Sequence, residues 1–369
     1  MKRGLESFFR FDWTLFFAAT ILTVIGLLAI YGLSISREAL DLFQFKKQLV
    51  AAVIGLALVL GSAFFDYRHL RSLALPLYLF GVALLGAVLV FGETIRGTRG
   101  WFVLGHLSFQ PVEVAKVLLA IFLAFYLSKH THKRIGWTAF LGSVLASGFY
   151  VGLVLLQPDF GSAAVMIAIW LAAVLFAGMP RRAWLTLALS LVVVGGLVWK
   201  VGLKPYQQAR IVSFFNPTYD TRGAGYNVTQ ARIAIGSGGL FGKGIGEGSQ
   251  SRLRFLPEAS TDFVFSVLGE ELGFVGIVFV LGLFGVLLSR YVRIAASIDD
   301  PFPQLLLVAL VASFAFHLIV NAGMNLGIMP VTGIPLPFVS AAPSSLVVAF
   351  VSVALAQAVA VQRQPATFR

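Results

Sequence analysis

Chemistry in this chain has to come from few side chains: 16 acidic and 5 histidine residues among 369, and no cysteine. The first place to look is Leu256 to Phe274, where polar chain gives way to an apolar run at Thr261-Asp262, with Glu270 and Glu271 further in. A lone carboxylate at such a boundary can act as a general base toward a hydroxyl. The same residues also suit a helix start, because Thr261 or Asp262 fits an N-cap and Glu258 belongs near one. The residues alone leave cap and catalyst equally open.

Four other groups have chemistry-bearing spacing. Glu113 and Lys116 stand three apart in an apolar run, so they share a helix face and can pair. Such a pair either joins two helices or forms the polar wall of a cavity. Asp159, after Pro158 and before Gly161-Ser162, is placed to cap the next helix. His317, Asn321 and Asn325 recur every fourth residue as one polar stripe, suited to hydrogen bonding between helices. The glycine run 236–246 fails as a phosphate loop, since a match through Gly242-Lys243 would need glycine at 237 and Ser or Thr at 244, where the chain has Ser237 and Gly244. Its glycines read as turns that let backbone approach a membrane or a ligand closely. Without cysteine there is no thiolate nucleophile, disulfide or thiolate metal site.

The elements that position these groups are membrane helices. Hydrophobic residues make up 58% of the chain and charged ones 12%, with a mean hydropathy of +0.89. A soluble domain carries about 25% charged residues. Repeated apolar runs near 20 residues mark spans at about 12–33, 48–65, 73–91, 111–128, 138–156, 160–178, 184–199, 263–289, 304–328 and 338–361. The expected fold is all-α: a polytopic integral membrane protein of about ten transmembrane helices. It forms one domain over 1–369, with a large extracytoplasmic loop at about 200–261 between helices 7 and 8. The run from Trp13 to Gly32 reads as a retained first helix rather than a signal peptide.

Ten spans put both termini on one side. With that side cytoplasmic, fourteen Lys and Arg fall inside and five in the short outer loops, so the positive-inside rule places both termini in the cytoplasm. The net charge of +12 is then a topology signal plus a basic outer loop, and nucleic acid is not an expected partner.

Together these segments resemble the SEDS family of polytopic peptidoglycan glycosyltransferases, over essentially the whole chain. The matching residues are Gly223-Ala-Gly-Tyr-Asn-Val-Thr-Gln230, Ala234 to Gly244, Phe255-Leu-Pro-Glu258, Thr261-Asp262-Phe263 and Gly269-Glu-Glu-Leu-Gly273. Trp101, Gln110-Pro-Val-Glu113 with Lys116, Gln157-Pro-Asp159 and Pro330 to Phe338 match as well. The Tyr-Asn after Gly225 and the run from Gly248 to Leu256 are closer to the rod-shape (RodA-like) branch than to the division (FtsW-like) branch. The resemblance implies polymerisation of lipid II outside the cytoplasmic membrane, by inverting attack of a GlcNAc 4-hydroxyl and loss of undecaprenyl pyrophosphate. It implies Asp262 as the base, with Trp101, Glu113, Lys116, Asp159, Arg210, Glu258, Thr261, Ser340 and Ser344 around the substrate. Lys116 and Arg210 are the candidates to meet the leaving pyrophosphate. A class B penicillin-binding protein (a PBP2-like transpeptidase) and the elongation machinery are the implied partners. A divalent cation (Mg or Mn) is an implied cofactor for which the sequence holds no ligand cluster.

Two departures stand out. The family's His before Thr-Asp is Ser260 here, and its Ser-Tyr-Gly-Gly-Ser-Ser reads Ser340-Ala-Ala-Pro-Ser-Ser345. Two glycines and a backbone donor are gone, which would alter a turn that needs them. Competing readings are a flippase for lipid-linked sugars and a non-catalytic scaffold for a cell-wall transpeptidase.

Overall fold

The structure is a computed structural model that describes residues 10–35, 42–95, 97–105, 107–130, 135–180, 183–184, 208, 212–215, 223–252 and 255–362. Its helices are α1 (Trp13–Ile35), α2 (Phe43–Gly61, continued by a one-turn 3-10 segment), α3 (Arg68–Phe91), α4 (Pro111–Ser128), α5 (Trp137–Leu156) and α6 (Phe160–Phe176). After these come α7 (Ala224–Ser237), the one-turn α8 (Ser249–Arg252), α9 (Val264–Ala296), α10 (Pro301–Leu326) and α11 (Pro343–Gln362). Eight of the helices are long and apolar enough to cross a membrane, and α6 is a shorter apolar helix. Nine of the ten expected spans therefore have a helix. The seventh, 184–199, lies outside the described residues, as does Arg210. This is a multi-pass membrane protein.

The helix boundaries follow local chemistry. Asp300 accepts from Phe302 N at 3.0 Å, Pro301 opens α10, and Gly327 closes it at φ 74°; cap, proline and left-handed glycine are start and stop signals. α4 also opens on a proline, Pro111 after the extended Gln110, with no side-chain cap.

The bundle is layered. In the most apolar stretch of α4 and of α11, 72% and 78% of residues are buried, against 22% in α3 and α9. α4 and α11 are thus inner helices, while α3 and α9 turn much of their surface outward. α10 packs on α4, α6 and α9, and α11 packs on α2. At one end Arg290 of α9 donates to both carboxylate oxygens of Asp12 at 2.6–3.1 Å. Gln357 of α11 exchanges two backbone bonds with Asp12 at 2.7 and 2.9 Å. This clasp ties α1, α9 and α11 together at the end opposite Asp262.

Three expectations need correction. The outer segment 92–110, expected as loop between the spans at 73–91 and 111–128, is not plain loop: Glu93–Ile95 (β1), Thr98–Leu104 (β2) and Leu107–Phe109 (β3) form an antiparallel meander, β1-β2-β3. Its short β-branched and aromatic segments separated by Gly97 and Gly105 can satisfy their own backbone outside the apolar slab. Within 200–261, α7 forms despite weak periodicity, because Ala231 and Ala234 let it lie close against α9 and α10. The last span starts at Pro343 rather than 338, since Gly327 to Ala342 is non-helical backbone held by Pro330, Pro335 and Pro337.

Candidate active site

The site is built where the start of α9 meets the end of α10 and the non-helical segment before α11. The cap of α9 is Phe263, which has no side chain able to cap. The capping bond comes instead from α10: Asn325 Oδ1 accepts from Ser266 N at 3.1 Å and from Ser266 Oγ at 2.6 Å. Ser266 is the third residue of the helix, whose N–H an N-cap side chain ordinarily serves. The N–H that an N-cap side chain would ordinarily serve is thus bonded by Asn325 of α10.

The Asp262 backbone is fixed by the same stripe. Asn321 and Asn325 each donate Nδ2 to the Asp262 carbonyl at 3.1 Å, and Asn321 also donates to Ile334 O at 2.8 Å. Both asparagines are fully buried. The every-fourth-residue stripe seen in the sequence thus does join helices, but its target is the residue that could do chemistry. Asp262 itself is half-buried. One of its carboxylate oxygens lies 3.5 Å from where a Cβ would stand on Gly333, which holds φ 74°.

Upstream, the Glu258 carbonyl accepts the backbone N–H groups of Thr261, Asp262 and Phe263 at 3.1–3.3 Å. Thr261 Oγ1 reaches Glu258 Oε2 at 3.2 Å. Glu258 sits at φ 55° and Phe338 at φ 66°; non-glycine residues held there cost about 1–3 kcal/mol each and gather at functional sites. Phe338 is wedged between Phe314 and Phe350, with ring centroids at 5.5 and 5.4 Å. That packing holds its backbone in place.

Ser340 ties the two loops together. Its Oγ donates to Thr261 O at 2.6 Å and accepts from Leu336 N at 2.8 Å, while Gln48 Nε2 of α2 donates to Ser340 O at 2.9 Å. Ala341 N donates to Ser260 O at 2.8 Å, and Ser260 Oγ contacts Gln44 Oε1 at 3.3 Å. The departure at 340–345 is absorbed without strain. Neither Ala341 nor Ala342 has positive φ, and Pro343 is the first residue of α11, where its missing N–H would have had no helical partner anyway.

The remaining candidates fall into three places. Ser344 donates to Ser108 O at 3.1 Å, joining the head of α11 to β3; Trp101 is on the neighbouring β2, opposite Glu93. Asp159 caps α6, accepting from Ser162 N at 2.9 Å and Ser162 Oγ at 2.8 Å, with Gln110 Nε2 at 3.5 Å. Burial raises its pKa above the usual aspartate value, with the two Ser162 bonds pulling the other way.

Glu113 and Lys116 lie deeper. Lys116 Nζ bonds Glu113 Oε1 at 2.9 Å and His317 Nε2 at 3.3 Å. His317 Nδ1 is 2.7 Å from Ser313 O, so Nδ1 carries the proton and Nε2 accepts from the ammonium. His317 precedes Asn325 by eight residues, about 12 Å along α10 at 1.5 Å per residue. The group borders a small cavity of about 30 Å³, with Ser313, Ser345 and Ser352 also on its wall. Both readings of the pair hold: it joins α4 to α10, and it lines a cavity. Lys116, the ammonium expected to meet pyrophosphate, is paired with a carboxylate and an imidazole in the interior.

Glu270 and Glu271 are structural. Glu270 Oε1 takes Lys243 Nζ at 3.1 Å and Gln250 N at 2.9 Å, and Glu271 Oε1 takes Gly246 N at 3.0 Å. The glycine run docks on α9, where a Cβ on Gly238 or Gly242 would meet backbone oxygens of Gly269 and Glu271 at 1.9 and 2.2 Å.

Residues 12–365 match the family FtsW/RodA/SpoVE, described as "Cell cycle protein". The chain belongs to this family. It is 35% identical over 350 residues to the probable peptidoglycan glycosyltransferase FtsW of Geobacter sp. strain M18, covering 93% of this chain and 95% of the relative. Identity to the peptidoglycan glycosyltransferase RodA of Treponema pallidum is 32% over 429 residues, 96% of this chain and 97% of the relative. Among solved structures, one described as "Structural coordination of polymerization and crosslinking by a peptidoglycan synthase complex" matches with a TM-score of 0.81 at 35% identity, over 96% of this chain and 98% of that one.

Proposed function

We propose that this membrane protein is a peptidoglycan glycosyltransferase that polymerises lipid II, with Asp262 as general base. The observation that carries the reading is the capping of α9 by Asn325, together with the two asparagine bonds to the Asp262 carbonyl. They hold the backbone of a carboxylate whose helix start is served from elsewhere.

The Asp262 carboxylate takes the proton of the acceptor sugar's 4-hydroxyl as that oxygen attacks the donor's anomeric carbon. The bond to the lipid pyrophosphate breaks with inversion, and the pyrophosphate leaves with its electron pair. The position suits a lipid-borne substrate. From Arg290 to Phe274, sixteen residues of unbroken α9 rise about 24 Å at 1.5 Å per residue. Asp262 lies eleven residues beyond the break at Gly273 and ahead of the first helical residue, Val264, toward the far boundary of a hydrocarbon core of about 30 Å. That boundary is where a lipid-linked sugar is presented.

In this reading Glu258, Thr261 and Ser340 shape the wall around Asp262, and Ser344, Trp101 and Asp159 line the approach from the meander and the start of α6. Glu113 and Lys116 set the polar floor. Lys116, paired with Glu113 and His317, and Arg210, outside the described residues, are the candidates to meet the pyrophosphate. Among the described residues no three His, Asp or Glu side chains gather to hold a metal ion, so no step is routed through one. The Asp262 face is extracytoplasmic and both termini are cytoplasmic, in the cytoplasmic membrane, as the charge bias favours. A class B penicillin-binding protein fits as partner, in keeping with the synthase complex among the similar structures.

The test is polymerisation of lipid II by purified protein, with and without such a transpeptidase. Wild type makes glycan strands; Asp262→Ala makes none while keeping its elution profile and thermal midpoint. Polymer from Asp262→Ala at the wild-type rate overturns the assignment of the base, and lipid II crossing the bilayer without polymer favours the flippase.

A further inference from the structure

The segment Gly238 to Gly246 lies within the stretch expected to be an extracytoplasmic loop, and its tip is apolar and bare. Phe241 is 80% exposed and Leu240 64%. Beside them on α9, Phe274, Val275, Val278 and Phe279 are 62%, 51%, 50% and 56% exposed. The tip thus continues an outward apolar face that runs down a membrane helix.

The backbone of this segment is sewn into α9. Lys243 N donates to Glu270 O and Gly244 N to Glu271 O, each at 3.0 Å; Phe274 N donates to Gly239 O at 2.9 Å and Val275 N to Leu240 O at 3.0 Å. Between these bonds α9 is broken at Gly273, with φ 67° and ψ −166°. A helix interrupted there exposes carbonyls and N–H groups that its own ladder no longer serves, and the glycine run supplies their partners. Irregular backbone is tolerated at membrane depth under this condition, with each polar group satisfied by protein.

Depth follows from the helix. Val275 is fifteen residues from Arg290, about 22 Å at 1.5 Å per residue, inside a hydrocarbon core of about 30 Å whose near boundary Arg290 and Asp12 mark. Leu240, bonded to Val275, is then within the core on the Asp262 side.

We infer that Gly238 to Gly246 is a re-entrant element whose Leu240 and Phe241 sit among the acyl chains of the leaflet nearest Asp262. It anchors α9 about a dozen residues from that carboxylate and sets the height of the site against the bilayer surface. Acyl chains are the occupant because the face continues without interruption onto Val278 and Phe279 of a spanning helix.

The cysteine-free chain permits a direct test in the full-length protein. Phe241→Cys is labelled with a nitroxide, reconstituted in phosphatidylethanolamine–phosphatidylglycerol vesicles, and its collision rates with oxygen and with a water-soluble nickel chelate are compared. Val278→Cys serves as lipid-facing reference and Glu93→Cys, exposed on β1, as aqueous reference. The expected result is oxygen accessibility several-fold above nickel accessibility at 241, as at 278. A ratio like that of residue 93 overturns the inference by placing the tip in water. Low accessibility to both probes overturns it as well, because protein then covers the tip. If Phe241→Cys does not reconstitute, Leu240→Cys answers the same question.

Discussion

Replacing Asn325 by alanine separates holding Asp262 from holding the fold. The side chain makes five bonds: to Ser266 N and Oγ, to the Asp262 carbonyl, and to Asn321 O at 2.8 Å and Asn321 Oδ1 at 3.4 Å. Ser266 Oγ can rotate to another acceptor, and the Asp262 carbonyl keeps its bond from Asn321. Ser266 N–H keeps its bond to Phe263 O at 3.0 Å and loses only the cap. A lost cap costs about 0.5–2 kcal/mol, so Asn325→Ala should destabilise by about 1–2 kcal/mol. With one of two carbonyl anchors gone, the carboxylate leaves its productive position for part of the time. A penalty of about 1.4–2.7 kcal/mol on that position is a 10- to 100-fold fall in kcat.

The assay is polymerisation of fluorescent lipid II by the monodisperse fraction, with kcat and KM measured separately and thermal midpoints recorded. The expectation is a 10- to 100-fold loss in kcat with KM within about threefold. Asn325→Asp should behave similarly, since it keeps the acceptor for Ser266 but loses the donor to Asp262. Arg290→Met, which breaks the clasp at the far end, is the comparison: it should lower the thermal midpoint and leave kcat of the folded fraction unchanged. The reasoning is refuted if Asn325→Ala has wild-type kcat, or if Arg290→Met lowers kcat by the same factor.

Three further outcomes are expected. Lys116→Met should cost about 3–5 kcal/mol by stranding a buried Glu113 carboxylate, whereas Glu113→Gln with Lys116→Met should recover much of the thermal midpoint; a double variant no better than the single contradicts the pairing. Gly273→Ala adds a Cβ 2.3 Å from Gly242 N at φ 67°, and should abolish stable expression or lower the thermal midpoint more than any other change here. Asp159→Asn keeps the cap on Ser162 but cannot ionise. Because burial raises the Asp159 pKa, the folded state binds its proton more tightly than the unfolded one, and stability is lost as pH rises from the unfolded aspartate value near 4 through the folded one. The variant's thermal midpoint should be flatter across that window, and a midpoint that still falls as in wild type would count against it.

Much was legible from one dimension. Apolar runs near 20 residues predicted nine of the helices, because a membrane span is a local, length-limited pattern. Prolines and glycines marked where α10 stops and where non-helical chain precedes α11. The asparagine stripe was visible by its fourfold spacing, since residues i and i+4 share a face whatever they touch. The meander at 93–109 was missed, because three-residue strands carry too little pattern to separate from loop.

What spacing could not settle was which partner each polar group takes. Thr261-Asp262 has the composition of a cap, and no count of neighbours along the chain reveals that Asn325, 59 residues away from Ser266, performs that task. The glycines of 236–246 announced close approach without saying to what, because steric permission is local and the approaching surface is not. The pairing of Lys116 with Glu113 was legible from their spacing, but its contact with His317, 201 residues away, was not. Sequence by itself determined the membrane class, the spans and the short roster of groups able to do chemistry, all of which depend on residues near in chain. Only tertiary structure decided that Asp262 is held by its carbonyl while α9 is capped by another helix, because that depends on hydrogen bonds between segments that meet only when the chain is folded.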